Sequence, residues 1–166
     1  MPALQSLPQE APNPLDHIED LAMSNEWMVE RDGEDEVNLI VEGGWSDLHL
    51  CINWHRELEG VHLACTFDLK IPAPRREEVA RLAALNNEQL YFGHFDVWRR
   101  EGVVLFRNGL LLTGGAEASS GQCEALIRLA LDSCERYFPA FQFVIWAGKG
   151  AEDALQSSLL ETVGEA

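Results

Sequence analysis

Positive charge is what this sequence has least of. Against 28 aspartates and glutamates stand 12 lysines and arginines, a formal net charge of −16 over 166 residues. A field of that sign repels phosphate backbones and anionic bilayers, so nucleic acid and membrane are disfavoured as partners. It would attract a basic or amphipathic peptide, although acidity also serves simply to keep a protein in solution. Long apolar runs are missing too, and none approaches the length that spans a bilayer. The opening MPALQSLPQEAPNP has neither a basic n-region nor an apolar h-region. No secretory signal is read there, and a cytoplasmic protein is expected.

Cysteine is sparse. Cys51, Cys65, Cys123 and Cys134 form no Cys-x-x-Cys pair, and in a reducing compartment they are expected to be free thiols. Cys123 and Cys134 fall on one predicted helix, about 16 Å apart at a rise of ~1.5 Å per residue, too far to bridge. Cys51 and Cys65 fall on opposite faces of neighbouring predicted strands. Cys65, Cys123 and Cys134 sit on apolar stripes and are expected to be buried as small core residues.

Catalytic signatures are absent as well. There is no Gly-x-Ser-x-Gly and no His-Glu-x-x-His. Gly148-Lys149-Gly150 fails as a phosphate loop, because Phe143 stands where a glycine is needed and Gly150 where Ser or Thr is needed. The stretch TGGAEASSG lacks Gly-x-Gly-x-x-Gly and is read as a plain loop. No catalytic residue and no cofactor is assigned.

What is present is regular patterning. Residues 1–12 are a proline-rich lead-in, expected to be flexible, and residues 13–163 form a single domain. Asn13-Pro14-Leu15-Asp16 reads as a helix start, with Asn13 as cap, and Leu15, Ile18 and Ala22 follow at helical spacing. Strand-like runs at residues 26–31 and 36–42 flank the turn signal Asp32-Gly33. Residues 46–55 alternate, placing Leu48, Leu50, Ile52 and Trp54 on one face and His49, Cys51, Asn53 and His55 on the other. Residues 61–70 alternate likewise. The two runs pair well with Trp54 opposite Leu63, Ile52 opposite Cys65 and Leu50 opposite Phe67, leaving one face solvated. In that register His55 faces His62, and His49 faces Asp68.

Pro72-Ala73-Pro74 starts a second helix, with Val79, Leu82, Ala83, Asn86 and Leu90 on one stripe. Asn86 is expected at the edge of that stripe, bonded to backbone. Strands at 92–99 and 103–112 follow. Ser119 and Gln122 make a capping box for a long amphipathic helix. The fold class is therefore α+β, an antiparallel sheet with flanking helices in the order α-β(3-4)-α-β-β-α.

Two groups of residues carry candidate function. His49, His55 and His62 share the polar sheet face, which opens an alternative as a metal-binding protein or enzyme; two meeting histidines fall short of the three or four ligands zinc needs. The run YFPAFQFVIWAGKG, residues 137–150, places Phe138, Phe141, Val144 and Ile145 on the sheet-facing stripe. Phe143 and Trp146 point the other way. A helix apolar on two sides needs cover on both, from a second subunit, a partner or the tail near residues 151–162. Phe143 and Trp146 are the candidate partner surface, and a homodimer is expected.

The segments NNEQLYFGHFDVWRREGVVLFRNGLLL and YFPAFQFVIWAGKG resemble the YbjN-like family of bacterial proteins, over roughly residues 15–162. The resemblance implies the fold of class I type III secretion chaperones and carries the label of sensory-transduction regulator. It implies no catalytic residues and a non-enzymatic protein. The function it leaves is a cytoplasmic protein-binding, regulatory or chaperone-like protein with a protein or peptide partner.

Overall fold

The computed structural model describes residues 12–164, with side chains to residue 160. The lead-in expected over residues 1–12 lies, apart from Pro12, outside the described residues. Helix α1, Pro14–Ser24, starts as its sequence dictates: the Asn13 side chain accepts from the Leu15 N–H, and Leu15, Ile18 and Ala22 are buried. Strands β1 (Met28–Asp32), β2 (Glu36–Glu42), β3 (Asp47–His55) and β4 (Gly60–Lys70) follow as an antiparallel meander. Helix α2 spans Arg76–Asn87, strands β5 and β6 span His94–Trp98 and Val103–Leu111, and helices α3 and α4 span Ser120–Ile145 and Ala151–Gly164. The six strands are ordered β1-β2-β3-β4-β6-β5.

One face of this sheet carries all four helices and the core. Leu39, Leu50, Ile52, Leu63, Cys65, Phe106 and Phe95 meet Ile18, Leu82, Ile127, Tyr137 and Phe141 there. Phe67 stacks edge-on to Phe138 at 5.1 Å between ring centres, and Phe95 lies 5.4 Å from Phe141. Edge-to-face pairs of this kind add about 0.5–1.5 kcal/mol each beyond their buried area. The run that includes Phe138 and Phe141 is thus core on its sheet side. Ser119 and Gln122 form the complete capping box, each side chain bonded to the other's backbone N–H. The helix passes through Pro139 without ending there; the surrounding burial outweighs the one missing hydrogen bond.

Three expectations change. Strand β1 begins two residues late, after Glu26 takes a positive φ of 58°. The β3–β4 register differs by two residues: Trp54 faces Val61, Ile52 faces Leu63, Leu50 faces Cys65 and Leu48 faces Phe67. The 3-10 turn Arg56–Leu58 and Glu59, at φ 48°, return the chain so early that His55 pairs with Gly60. A slip of two keeps every side chain on its face, so the pattern alone does not resolve it. Asn86 is not at an edge and is not bonded to backbone. Its residue is fully buried, and both its side-chain polar atoms lack partners among the described residues.

Candidate functional site

Among the described residues no helix lies on the sheet's second face. Along it lie Asn38 and Ile40 of β2, His49, Cys51, Asn53 and His55 of β3, His62, Ala64 and Thr66 of β4, and Leu105 and Arg107 of β6. Ala64, Cys51 and Thr66 are small, so the middle of the face is hollow, a trough of about 630 Å³ with Trp98 and Val103 at one side. Leu105, between Thr66 and Asp96 in its cross-strand row, is buried although it faces away from the helices. The alternating pattern marks this face as polar and gives no sign of the hollow.

The predicted histidine trio is not brought together. His49 pairs with Thr66, not Asp68, and His62 pairs with Asn53. His55 and His62 are diagonal neighbours, with ring centres 6.4 Å apart. Arg107 Nε donates to His62 Nε2 at 3.0 Å, and Arg107 Nη1 donates to Asp96 at 3.3 Å. Burial, then the charges of Arg107, His55 and His94, hold the His62 pKa below its ordinary value. A ring nitrogen that accepts from arginine is a neutral imidazole whose Nε2 is already engaged. Among the described residues no group of three His, Cys, Asp or Glu side chains is close enough to hold a metal ion.

The cysteines are free thiols, with Cys65, Cys123 and Cys134 buried and Cys51 half-buried. One contact escapes a reading of the separate elements. Packing α3 across β4 sets the Cys134 thiol in hydrogen-bond contact with Cys65, and this bond first, with burial next, drives the Cys134 pKa well up. Phe143 is half-buried, with Lys149 Nζ 4.9 Å from its ring centre, and α4 packs on α3 beside it. Trp146 is 70% exposed. The tail therefore covers part of the far side of the aromatic run and leaves Trp146 open.

Two further exposed aromatic residues stand elsewhere. Tyr91 is 96% exposed and Phe92 70% exposed, side by side before β5. They are held out by a built turn. Asn87 Nδ2 donates to the Phe95 carbonyl at 3.0 Å while the Phe95 N–H donates to Asn87 Oδ1 at 2.7 Å. Gly93, at φ 73°, sits so close to β6 that a Cβ would strike the Phe106 ring and come within 2.9 Å of the Arg107 carbonyl. Only glycine fits, and it starts β5 at His94. Beside this ridge Leu110, Ala125, Leu126 and Leu129 line a groove with Phe92. The sequence pattern gives no hint of it, because Phe92 reads as the start of the strand expected over 92–99, which begins only at His94.

No helix among the described residues is long and apolar enough to cross a membrane. The YbjN family, described as "Putative bacterial sensory transduction regulator", matches residues 14–143. Among solved structures, ExsC in the ExsC-ExsE complex is similar, with a TM-score of 0.55 at 17% identity over 74% of this chain and 88% of that one. YbjN from E. coli is similar with a TM-score of 0.54 at 8% identity, over 92% of this chain and 96% of that one. Both share the α+β fold, in line with the chaperone-like class that the resemblance implies. No curated protein matches the sequence.

Proposed function

The chain belongs to the YbjN family, and from that premise we propose that it is a non-enzymatic, cytoplasmic protein that binds another polypeptide in a regulatory or chaperone-like role. The observation that carries this reading is the ridge of Tyr91 and Phe92, both exposed and both fixed in place by Asn87 and Gly93. Burying an aromatic removes roughly 150–250 Å² from water, at about 25 cal/mol per Å². Two of them left open forgo several kcal/mol, a cost comparable to a domain's whole stability. Apolar surface held open at that cost is the mark of an interaction site. That one fold neighbour is a complex with a second protein, ExsE, supports the same reading. The net charge of −16 favours an amphipathic partner with basic groups elsewhere on its surface.

In this reading the chain is also a homodimer, and Trp146 with the adjoining part of Phe143 is the surface for the second copy. The metal-binding alternative draws less support, since His49 stands apart from His62 and His62 Nε2 is bonded to Arg107.

The test is capture from the native host with the wild-type chain and with a Tyr91→Ser/Phe92→Ser double variant, each at matched stability. A defined protein retained by the wild type and lost with the variant is expected. Equal retention by both would contradict the assignment of binding to this ridge.

A further inference from the structure

Strand β6 has an open edge. It pairs with β4 in continuous register from Leu105 opposite Thr66 to Leu111 opposite Gly60, with an irregularity before Val103 opposite Lys70, but β5 accompanies it only from Val103 to Arg107. Among the described residues, 108–111 therefore have a strand neighbour on one side only. The direction of their backbone groups follows from the ladder's phase. The Leu112 N–H donates to the Glu59 carbonyl at 2.7 Å. Backbone groups alternate sides along a strand, so Leu110 and Asn108 also bond toward β4, while Leu111 and Gly109 point outward, as Arg107 points to His94 of β5. The outward Gly109 N–H is met by its own neighbour, Asn108 Oδ1, at 2.9 Å. That side chain stands where the carbonyl of a further strand would.

Two hollows flank this short edge, one on each side of the sheet. On the helix side is the apolar groove of Phe92, Leu110, Ala125, Leu126 and Leu129. On the open side is a polar hollow lined by His62, His94, Arg107 and Gly109. Arg107 spends Nε on His62 and Nη1 on Asp96, and its Nη2 has no partner among the described residues. In an extended chain, consecutive side chains point to opposite faces. A strand laid on this edge would drop one side chain into the apolar groove and the next beside Arg107.

We propose that the edge at residues 108–111 takes an extended segment of a partner protein that alternates apolar side chains with carboxylates. This deepens the protein-binding reading above and rests on it. The segment displaces the Asn108 side chain from the Gly109 N–H and bonds to the outward groups of Gly109 and Leu111. Its apolar residue seats against Phe92 and Leu129, and its carboxylate meets Arg107 and His94. The chain's overall negative charge does not forbid this. Beyond about 8 Å exposed charges are screened at physiological salt, whereas a carboxylate against Arg107 acts within hydrogen-bond distance. A lysine in that place would meet Arg107 as a like charge. Strand addition of this type draws affinity from the main chain and specificity from the alternating pockets.

The test uses a fluorescein-labelled octapeptide alternating valine and glutamate, read by fluorescence polarisation against the full chain. Its companions are the valine–lysine peptide and a valine–glutamate peptide N-methylated at alternate residues. Binding of the first is expected, weakened at least tenfold by N-methylation, by lysine for glutamate, and by Phe92→Asp, a change on an exposed side chain. Indifference to N-methylation, a preference for lysine, or no binding of the valine–glutamate peptide would each overturn the proposal. Sedimentation of the wild type and Phe92→Asp runs alongside: a dimer that only the variant loses would assign the edge to a second copy and overturn it too. If the peptide fails while the wild type still captures a host protein that the Tyr91→Ser/Phe92→Ser variant loses, the strand inference falls and the protein-binding reading stands.

Discussion

Arg75 donates through Nε to the carbonyl of Val144 at 2.9 Å, joining the approach to α2 to the last turn of α3. The same guanidinium donates through Nη2 to the Lys149 carbonyl at 2.7 Å. One turn further on, Glu78 accepts the Ala151 N–H at 2.7 Å, at the first residue of α4. A helix end leaves carbonyls and N–H groups without partners. Here two side chains from α2 and its lead-in satisfy both ends of the α3–α4 connection. Removing the fork by Arg75→Ala is expected to lower stability by about 1–3 kcal/mol, measured by urea denaturation, and to speed amide exchange in α4. Arg75→Lys is expected to recover little, because an ammonium cannot span two carbonyls in a fixed plane. Full recovery by lysine would contradict the account of the fork.

Asn86 is the reverse case, a buried amide with no hydrogen bond among the described residues. An unsatisfied buried polar group costs on the order of 1–3 kcal/mol, and an apolar group of the same shape does not carry that cost. Asn86→Leu is therefore expected to raise the melting temperature by several degrees, at ~2–4 °C per kcal/mol for a chain this long. An unchanged or lower value in calorimetry would mean that the amide is bonded in solution.

The pKa of His62 lies below its ordinary value of 6.5, first through burial and then through the charges of Arg107, His55 and His94. The groups facing it are these three together with Asn53 across β3 and Asp96 beyond Arg107. The unfolded chain takes up its proton at a higher pH than the folded one. Stability is then fully present above pH 6.5 and is lost as pH falls through 6.5 toward the lower folded value. His62→Gln should flatten the dependence of melting temperature on pH between about 7 and 5. A variant with the same slope as the wild type would show that other groups carry it.

The thiols should separate into two classes. Cys51 is half-buried and its Sγ lies 3.5 Å from Asn53 Oδ1, while Cys65, Cys123 and Cys134 are buried. Burial holds the Cys51 and Cys123 pKa values up, and the Cys65 contact does the same for Cys134. Thiolate is the reactive form. A native-state thiol titration is expected to modify Cys51 first, with the other three reacting only on unfolding. Rapid modification of all four would contradict the core assignment.

Much of the fold was legible because local chemistry and global packing agree. Asn13 and Ser119 cap helices in the sequence and in the structure. Leu48, Leu50 and Ile52 alternate because one face of β3 is core. What was not legible depends on elements meeting across the chain. The β3–β4 register slipped because faces repeat every two residues and only the turn at Glu59 settles the alignment. Asn86 was misjudged because sequence gives a stripe but not how deep the helices covering it lie. Of the aromatic run, Trp146 stands exposed while Phe143 is half-buried against the core, and Phe92 was hidden because it was read into the strand over 92–99. Only the contact of Gly93 with Phe106 and the Asn87–Phe95 bonds show that Phe92 is turned outward.

Trp146→Glu bears on the homodimer. It removes an exposed side chain, so stability should stay within about 0.5 kcal/mol, the usual range for surface changes. The mass in sedimentation should fall from dimer to monomer. An unchanged dimer would move the subunit contact away from the end of α3.

The central claim, that the ridge before β5 contacts another protein, is tested most directly in living cells of the native host. A photo-crosslinking amino acid replaces Phe92, and a second variant carries it at the exposed Asp153 of α4. The account predicts a discrete protein adduct on irradiation from position 92 and none from position 153. No adduct from position 92, in a variant that folds as the wild type does, would contradict it.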